Sequence, residues 1–118
     1  MSTYDDTPDS PRDVTAAEAA DALRAGSAIL LDVRENDEWQ AGHIPGAVHV
    51  PLSELDPAAL NPSQPVIALC RSGGRSSKAV AALSAAGVPV RNFAGGMKDW
   101  AEQGLPVLTD SGHRGIVK

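Results

Sequence analysis

The chain reads as a single α/β domain built on a parallel sheet, and three observations predict it. Apolar runs at 28–33, 47–50, 66–69 and 88–93 have the length of buried strands. Helix-like stretches separate them, and Gly or Pro marks the joins. Strands alternating with helices in this way form a parallel sheet covered on both faces.

With 118 residues the chain has room for one domain and little more. It holds two Trp, one Tyr and one Phe, so Ala, Val, Leu and Ile must build the core. A net charge of −5 argues against a nucleic-acid partner, whose phosphates need a basic surface. No apolar stretch is long enough to span a bilayer, so no membrane partner is expected. The start, MSTYDDTPDSPRD, lacks the basic-then-apolar pattern of a secretory signal. The single Cys excludes an internal disulfide, and a lone thiol is most easily kept reduced in the cytoplasm.

Residues 1–12 are polar, acidic and aperiodic, and read as a disordered lead. The domain is expected over 13–108. Thr15 and Glu18 form a capping box that opens a helix with Ala19, Ala20 and Leu23 on one face, closed by Gly26. After the strand at 28–33, a charged stretch from Arg34 to Gln40 suits a short exposed helix. Gly42-His43-Ile44-Pro45-Gly46 is loop chemistry, and a short helix is expected within 52–60. The strand at 66–69 runs into Cys70, and the helix after it carries Val80 and Leu83 on one face and stops at Gly87. The strand at 88–93 leads to Gly95-Gly96 and a last helix with Met97 and Trp100, ending near Gly104. Residues 109–118 read as a polar tail.

The unit that carries chemistry is a strand, then Cys70-Arg71-Ser72-Gly73-Gly74-Arg75, then a helix opening with Ser76. In α/β sheets, ligands bind beyond the carboxyl ends of the strands, where this turn must lie. The two glycines free the backbone to aim several N–H groups at one spot. The helix adds its own N-terminal amides and the positive end of its dipole, and Arg71 and Arg75 add two cations. A free thiol ionises near pH 8.5, and such surroundings bring it to about 3.5–7.5. The same field would hold a persulfide anion and attract a small anionic sulfur donor.

At these residues the chain resembles the rhodanese family of sulfurtransferases. Leu30 to Ala47 (LLDVRENDEWQAGHIPGA) is similar to the family's first signature, Cys70 to Arg75 to its six-residue active-site loop, and Ala94 to Trp100 (AGGMKDW) to its C-terminal signature. Together they cover about residues 14–107. The resemblance implies a three-layer α/β/α fold with a five-stranded parallel sheet, its short first strand near Asp13-Val14. It also implies a catalytic Cys70 that takes sulfur from a donor such as thiosulfate and passes it to cyanide or a thiol, a protein acceptor included. Met97 stands where many relatives carry an aromatic residue, which bears on packing beneath the loop. No cofactor is implied.

Asp32 and Arg34 fit either an acid and an anion contact in the site or a pair that fixes the loops around it; the second is the simpler expectation. His43 could be a general base, but in Gly-His-Ile-Pro-Gly a hydrogen bond to a neighbouring loop is simpler. The histidines show no metal-ligand spacing with Cys70 or a carboxylate. Ser72, Ser76 and Ser77 could hydrogen-bond a persulfide or cap the helix; Ser76 or Ser77 as a cap is the simpler expectation. Phosphatases and arsenate reductases also place Cys and Arg in an anion cradle, with five residues between them. Here there are four, which makes a smaller ring. A non-catalytic or redox- or sulfide-sensing module of the same fold is the remaining alternative.

Overall fold

The computed structural model describes residues 13–118, so the disordered lead expected over 1–12 lies outside the described residues. Thr15 caps the first helix, α1 (Ala16–Ala25), as a full capping box. Its hydroxyl accepts from the Glu18 amide at 3.1 Å, and the Glu18 carboxylate accepts from the Thr15 amide at 2.9 Å. Gly26, at φ +67°, ends the helix in the left-handed conformation that glycine adopts without strain.

Four parallel strands follow: β1 (Ile29–Asp32), β2 (Val48–His49), β3 (Val66–Leu69) and β4 (Val90–Asn92), in the order β2-β1-β3-β4. The fifth, first strand is reduced to one parallel bridge, Val14 with Phe93, whose amide at Val14 donates to the Asn92 carbonyl at 2.8 Å. The cause is local. The capping box begins at Thr15, so the chain turns into α1 before a ladder can form.

Three further helices complete the layers: α2 (Asn36–Ala41), α3 (Gly74–Ala85) and α4 (Gly96–Glu102). The short helix expected within 52–60 is only a 3-10 turn at Leu52–Glu54. Pro57 disfavours helical backbone at Asp56, and the Asp56 carboxylate instead accepts from the Ala58 amide at 3.1 Å. No helix among the described residues is long and apolar enough to cross a membrane.

Side chains alternate across the pleat and bury both faces. Leu30, Ile67 and Leu69 pack with Ala19 of α1 and Met97 and Trp100 of α4. Leu31, Val66 and Ala68 pack with Ala79 and Leu83 of α3. Met97 is fully buried beneath the Cys70 turn, and Trp100 donates its indole N–H to the Pro106 carbonyl at 2.8 Å. Residues 109–118, read as a polar tail, are largely exposed but return to the domain. Leu108 bridges both His43 and Arg114, the Ile116 amide donates to the Ala41 carbonyl at 2.9 Å, and Val117 packs on the core.

Asp32 and Arg34 lie at the carboxyl end of β1 and are wholly buried. Arg34 Nε reaches both Asp32 oxygens at 3.0 Å, and one terminal nitrogen donates to Asp32 at 2.8 Å and to the Gly42 carbonyl at 2.9 Å. The pair therefore ties the sheet's end to the loop that follows α2. Removing one partner strands a buried charge, so Asp32→Ala should lower unfolding free energy by about 3–5 kcal/mol. Urea denaturation checks this; a loss under about 1 kcal/mol would show that the pair carries little weight.

Candidate active site

Cys70 follows the last residue of β3, and its sulfur sits where a capping oxygen would sit at the start of α3. Gly73, the residue before the helix, has no capping side chain of its own. Cys70 Sγ instead accepts from the Gly73 amide at 3.1 Å and from the Ser76 amide at 3.4 Å. An anion at this place faces the positive end of the helix dipole as well as the two N–H groups.

Ser76 does more than cap. Its side chain is fully buried, with Oγ 3.4 Å from Cys70 Sγ and 3.2 Å from the Gly73 carbonyl oxygen, to which it donates. A hydroxyl has one proton, so it donates either to that carbonyl or to a sulfur anion. Burial by itself pushes the Cys70 thiol up. The Ser76 hydroxyl and the amides of Ser76, Ser72 and Gly73 outweigh it, and hold the thiol below the ordinary range. The residue is 1% exposed.

Of the two glycines, only Gly73 uses its conformational freedom. At φ +98° it makes the turn, and a Cβ there would stand 2.4 Å from the Ala94 carbonyl oxygen. Gly74 is an ordinary first helical residue with open space where a Cβ would go. The segment at 94–98 braces the turn from behind. The Met97 amide donates to the Cys70 carbonyl at 2.9 Å, and the Lys98 amide to the Arg71 carbonyl at 3.0 Å. Gly96, at φ +59°, lies so close that a Cβ would meet the Cys70 carbonyl oxygen at 2.4 Å. Asn92, a residue the sequence reading passed over, donates to the Gly73 carbonyl at 3.4 Å from the end of β4.

Arg71 and Ser72 are exposed on the turn. Arg75 is engaged. Its two terminal nitrogens meet the two carboxylate oxygens of Glu38, on α2, at 2.6 and 2.9 Å. That fork lowers the Glu38 pKa and raises the Arg75 pKa; the charge on Cys70 also raises the latter, by less. The neighbours that meet the Cys70 sulfur are therefore amides and a hydroxyl. Glu38 was unmarked in the sequence beyond its place three residues after Glu35, whose amide its carboxylate accepts at 3.0 Å.

The structure takes Asp32, Arg34 and His43 into the frame around the loop. Asp32 and Arg34 bond each other. His43 Nδ1 lies 2.7 Å from the Trp39 carbonyl oxygen, Nε2 is 3.3 Å from Asp110, and its ring stacks on Trp39 at 3.6 Å between centroids. His49 also stacks on Trp39, with Nε2 2.7 Å from the Arg34 carbonyl oxygen.

A model of the rhodanese-like domain matches residues 15–103. The chain belongs to the rhodanese-like domain family. Among its relatives, an HTH-type transcriptional regulator of Mycobacterium tuberculosis is 40% identical over 103 residues, which are 83% of this chain and 46% of the regulator. The chain thus spans under half the length of that relative. Thiosulfate sulfurtransferase 16, chloroplastic, of Arabidopsis thaliana is 37% identical over 81% of this chain and 92% of its own. The crystal structure of a rhodanese-related protein from Thermoplasma volcanium superposes with a TM-score of 0.77 at 31% identity, covering 85% of this chain and all of the other.

Two substitutions separate the roles within this rhodanese-like loop. Gly73→Ala should destabilise the fold by about 1–3 kcal/mol, while Gly74→Ala should stay within about 1 kcal/mol of the parent. Thermal unfolding of both checks this, and equal behaviour would mean that the tight approach to Ala94 relaxes freely. The rate of Cys70 alkylation follows the thiolate. Because the folded thiol is depressed, that rate should rise at lower pH than in the urea-unfolded chain, and Ser76→Ala should move the rise to higher pH. A profile indifferent to Ser76 would remove the hydroxyl from the account.

Proposed function

We propose that this rhodanese-like domain is a sulfurtransferase carrying sulfane sulfur on Cys70. The observation that carries the reading is the sulfur itself, held by the Gly73 and Ser76 amides and beside the Ser76 hydroxyl at the start of a helix. A thiol held below its ordinary range ionises more readily, and its thiolate attacks without a general base. The match to an Arabidopsis thiosulfate sulfurtransferase, over 92% of that protein, supports the same reaction class.

The chemistry consists of two displacements at sulfur. The Cys70 thiolate attacks the outer sulfur of a small anionic donor such as thiosulfate. A sulfur–sulfur bond forms, the donor's own sulfur–sulfur bond breaks, and sulfite leaves with the electron pair. The persulfide now carries the negative charge. A thiolate or cyanide then attacks the outer sulfur of that persulfide, giving a new persulfide or thiocyanate and restoring the Cys70 thiolate. Neither step needs an outside oxidant or a cofactor. Arg71, exposed on the turn, draws the anionic donor, and the amides of Ser72, Gly73 and Ser76 hold the charge in both states. The acceptor is a small thiol, cyanide or a protein thiol, and the reduced lone thiol suits the cytoplasm.

A second reading is favoured by the match to part of a transcriptional regulator: a domain whose Cys70 persulfide reports sulfane sulfur to a partner. Turnover separates the two. Incubation with thiosulfate should add one sulfur atom to the intact protein by mass, and cyanide should remove it with formation of thiocyanate. Cys70→Ser should abolish both, with activity falling at least about a thousandfold. A folded wild-type protein whose mass stays unchanged would sink the transferase reading. Loading without turnover would favour the sensor.

A further inference from the structure

The Glu38–Arg75 fork bears on which donors the loop prefers. Arg75 is the second residue of α3, one position before Ser76, whose amide and hydroxyl meet Cys70 Sγ. The site therefore holds its cation close to the place where a donor anion must arrive. Yet both terminal nitrogens already bind Glu38, in the side-on geometry an oxyanion would use. Glu38 is not free to swing away. It lies in the first turn of α2, its carboxylate also accepts from the Glu35 amide, and its side chain is 13% exposed against 35% for Arg75. With the cation matched by an adjacent anion, the loop's exposed positive charge is that of Arg71.

We propose that Glu38 sets the donor-charge preference of the loop: by neutralising Arg75, it lets singly charged sulfane donors compete with doubly charged ones. This rests on the sulfurtransferase reading above and specifies its donor class as small anions, singly as well as doubly charged. Glu38 touches no reacting atom and acts through Arg75, as a specificity-setting residue. Its chemistry with a thiosulfonate is the same displacement, with a sulfinate leaving in place of sulfite.

The test compares thiosulfate, a dianion, with methanethiosulfonate, a monoanion, both assayed with cyanide as acceptor on wild type and Glu38→Gln. Glutamine keeps the shape and, through its carbonyl oxygen, the bond to the Glu35 amide and one arm of the fork; it removes the charge and the other arm. The ratio of kcat/KM values, thiosulfate over methanethiosulfonate, should rise about fivefold in Glu38→Gln at low ionic strength and fall back as salt is added. The shift should be carried by KM. It should vanish when the change is made in an Arg75→Gln background, since the effect runs through that guanidinium. Arg75→Gln alone leaves Glu38 unmatched beside the loop and should lower the ratio, which keeps the test open should Glu38→Gln fail to fold. A ratio unmoved in both variants, or both donors declining in parallel, would overturn the proposal and leave the fork as a brace. A wild-type protein that takes sulfur from neither donor would instead remove the sulfurtransferase reading beneath it.

Discussion

The acceptance of two backbone N–H groups by Cys70 Sγ is the contact around which the rest of this domain is arranged. A sulfur anion at a helix start is favourable only while the helix begins at that spot and the strand delivers the residue there. β3 supplies the second condition, running buried along its whole length to Leu69. Gly73 supplies the first, turning the chain at φ +98° so that α3 starts within reach of the sulfur. The hydroxyl of Ser76 stands within reach of both the sulfur and the Gly73 carbonyl, with one proton to give to either.

The loop does not hold itself in place. Its carbonyls at Cys70 and Arg71 are taken by the Met97 and Lys98 amides, its Gly73 carbonyl by Asn92, and its helix start by Glu38 through Arg75. These partners come from α4, β4 and α2, so three separate elements converge on six residues. The Asp32–Arg34 pair works further back, fixing the end of β1 to the loop after α2 from which His43 and its neighbours project. A network of this kind holds the site's geometry from several sides at once.

Much of this was readable in the sequence because it is written locally. The capping box at Thr15 and Glu18, the two-sided strands and the Cys-to-Arg turn are each decided by neighbours within a few residues. The Asp32–Arg34 pair was readable too, being two residues apart at a strand end. What escaped was decided by distance. Glu38 meets Arg75 across 37 positions, and Asn92 meets Gly73 across 19, and neither spacing leaves a periodic trace. The helix within 52–60 failed because Pro57 constrains Asp56. The fifth strand shrank to a bridge because α1 claims the chain at Thr15. Gly74 looked like its neighbour Gly73 but carries none of its geometric burden.

The near-complete enclosure of Cys70, at 1% exposure, has a consequence for regiochemistry. A persulfide offers an attacking thiolate two electrophilic sulfurs. Attack on the inner one would produce a mixed disulfide and waste the cargo as free sulfide. With the inner atom sealed under amides, only the added sulfur projects outward on the proposed chemistry, so the incoming nucleophile is steered to the one collision that hands the atom on.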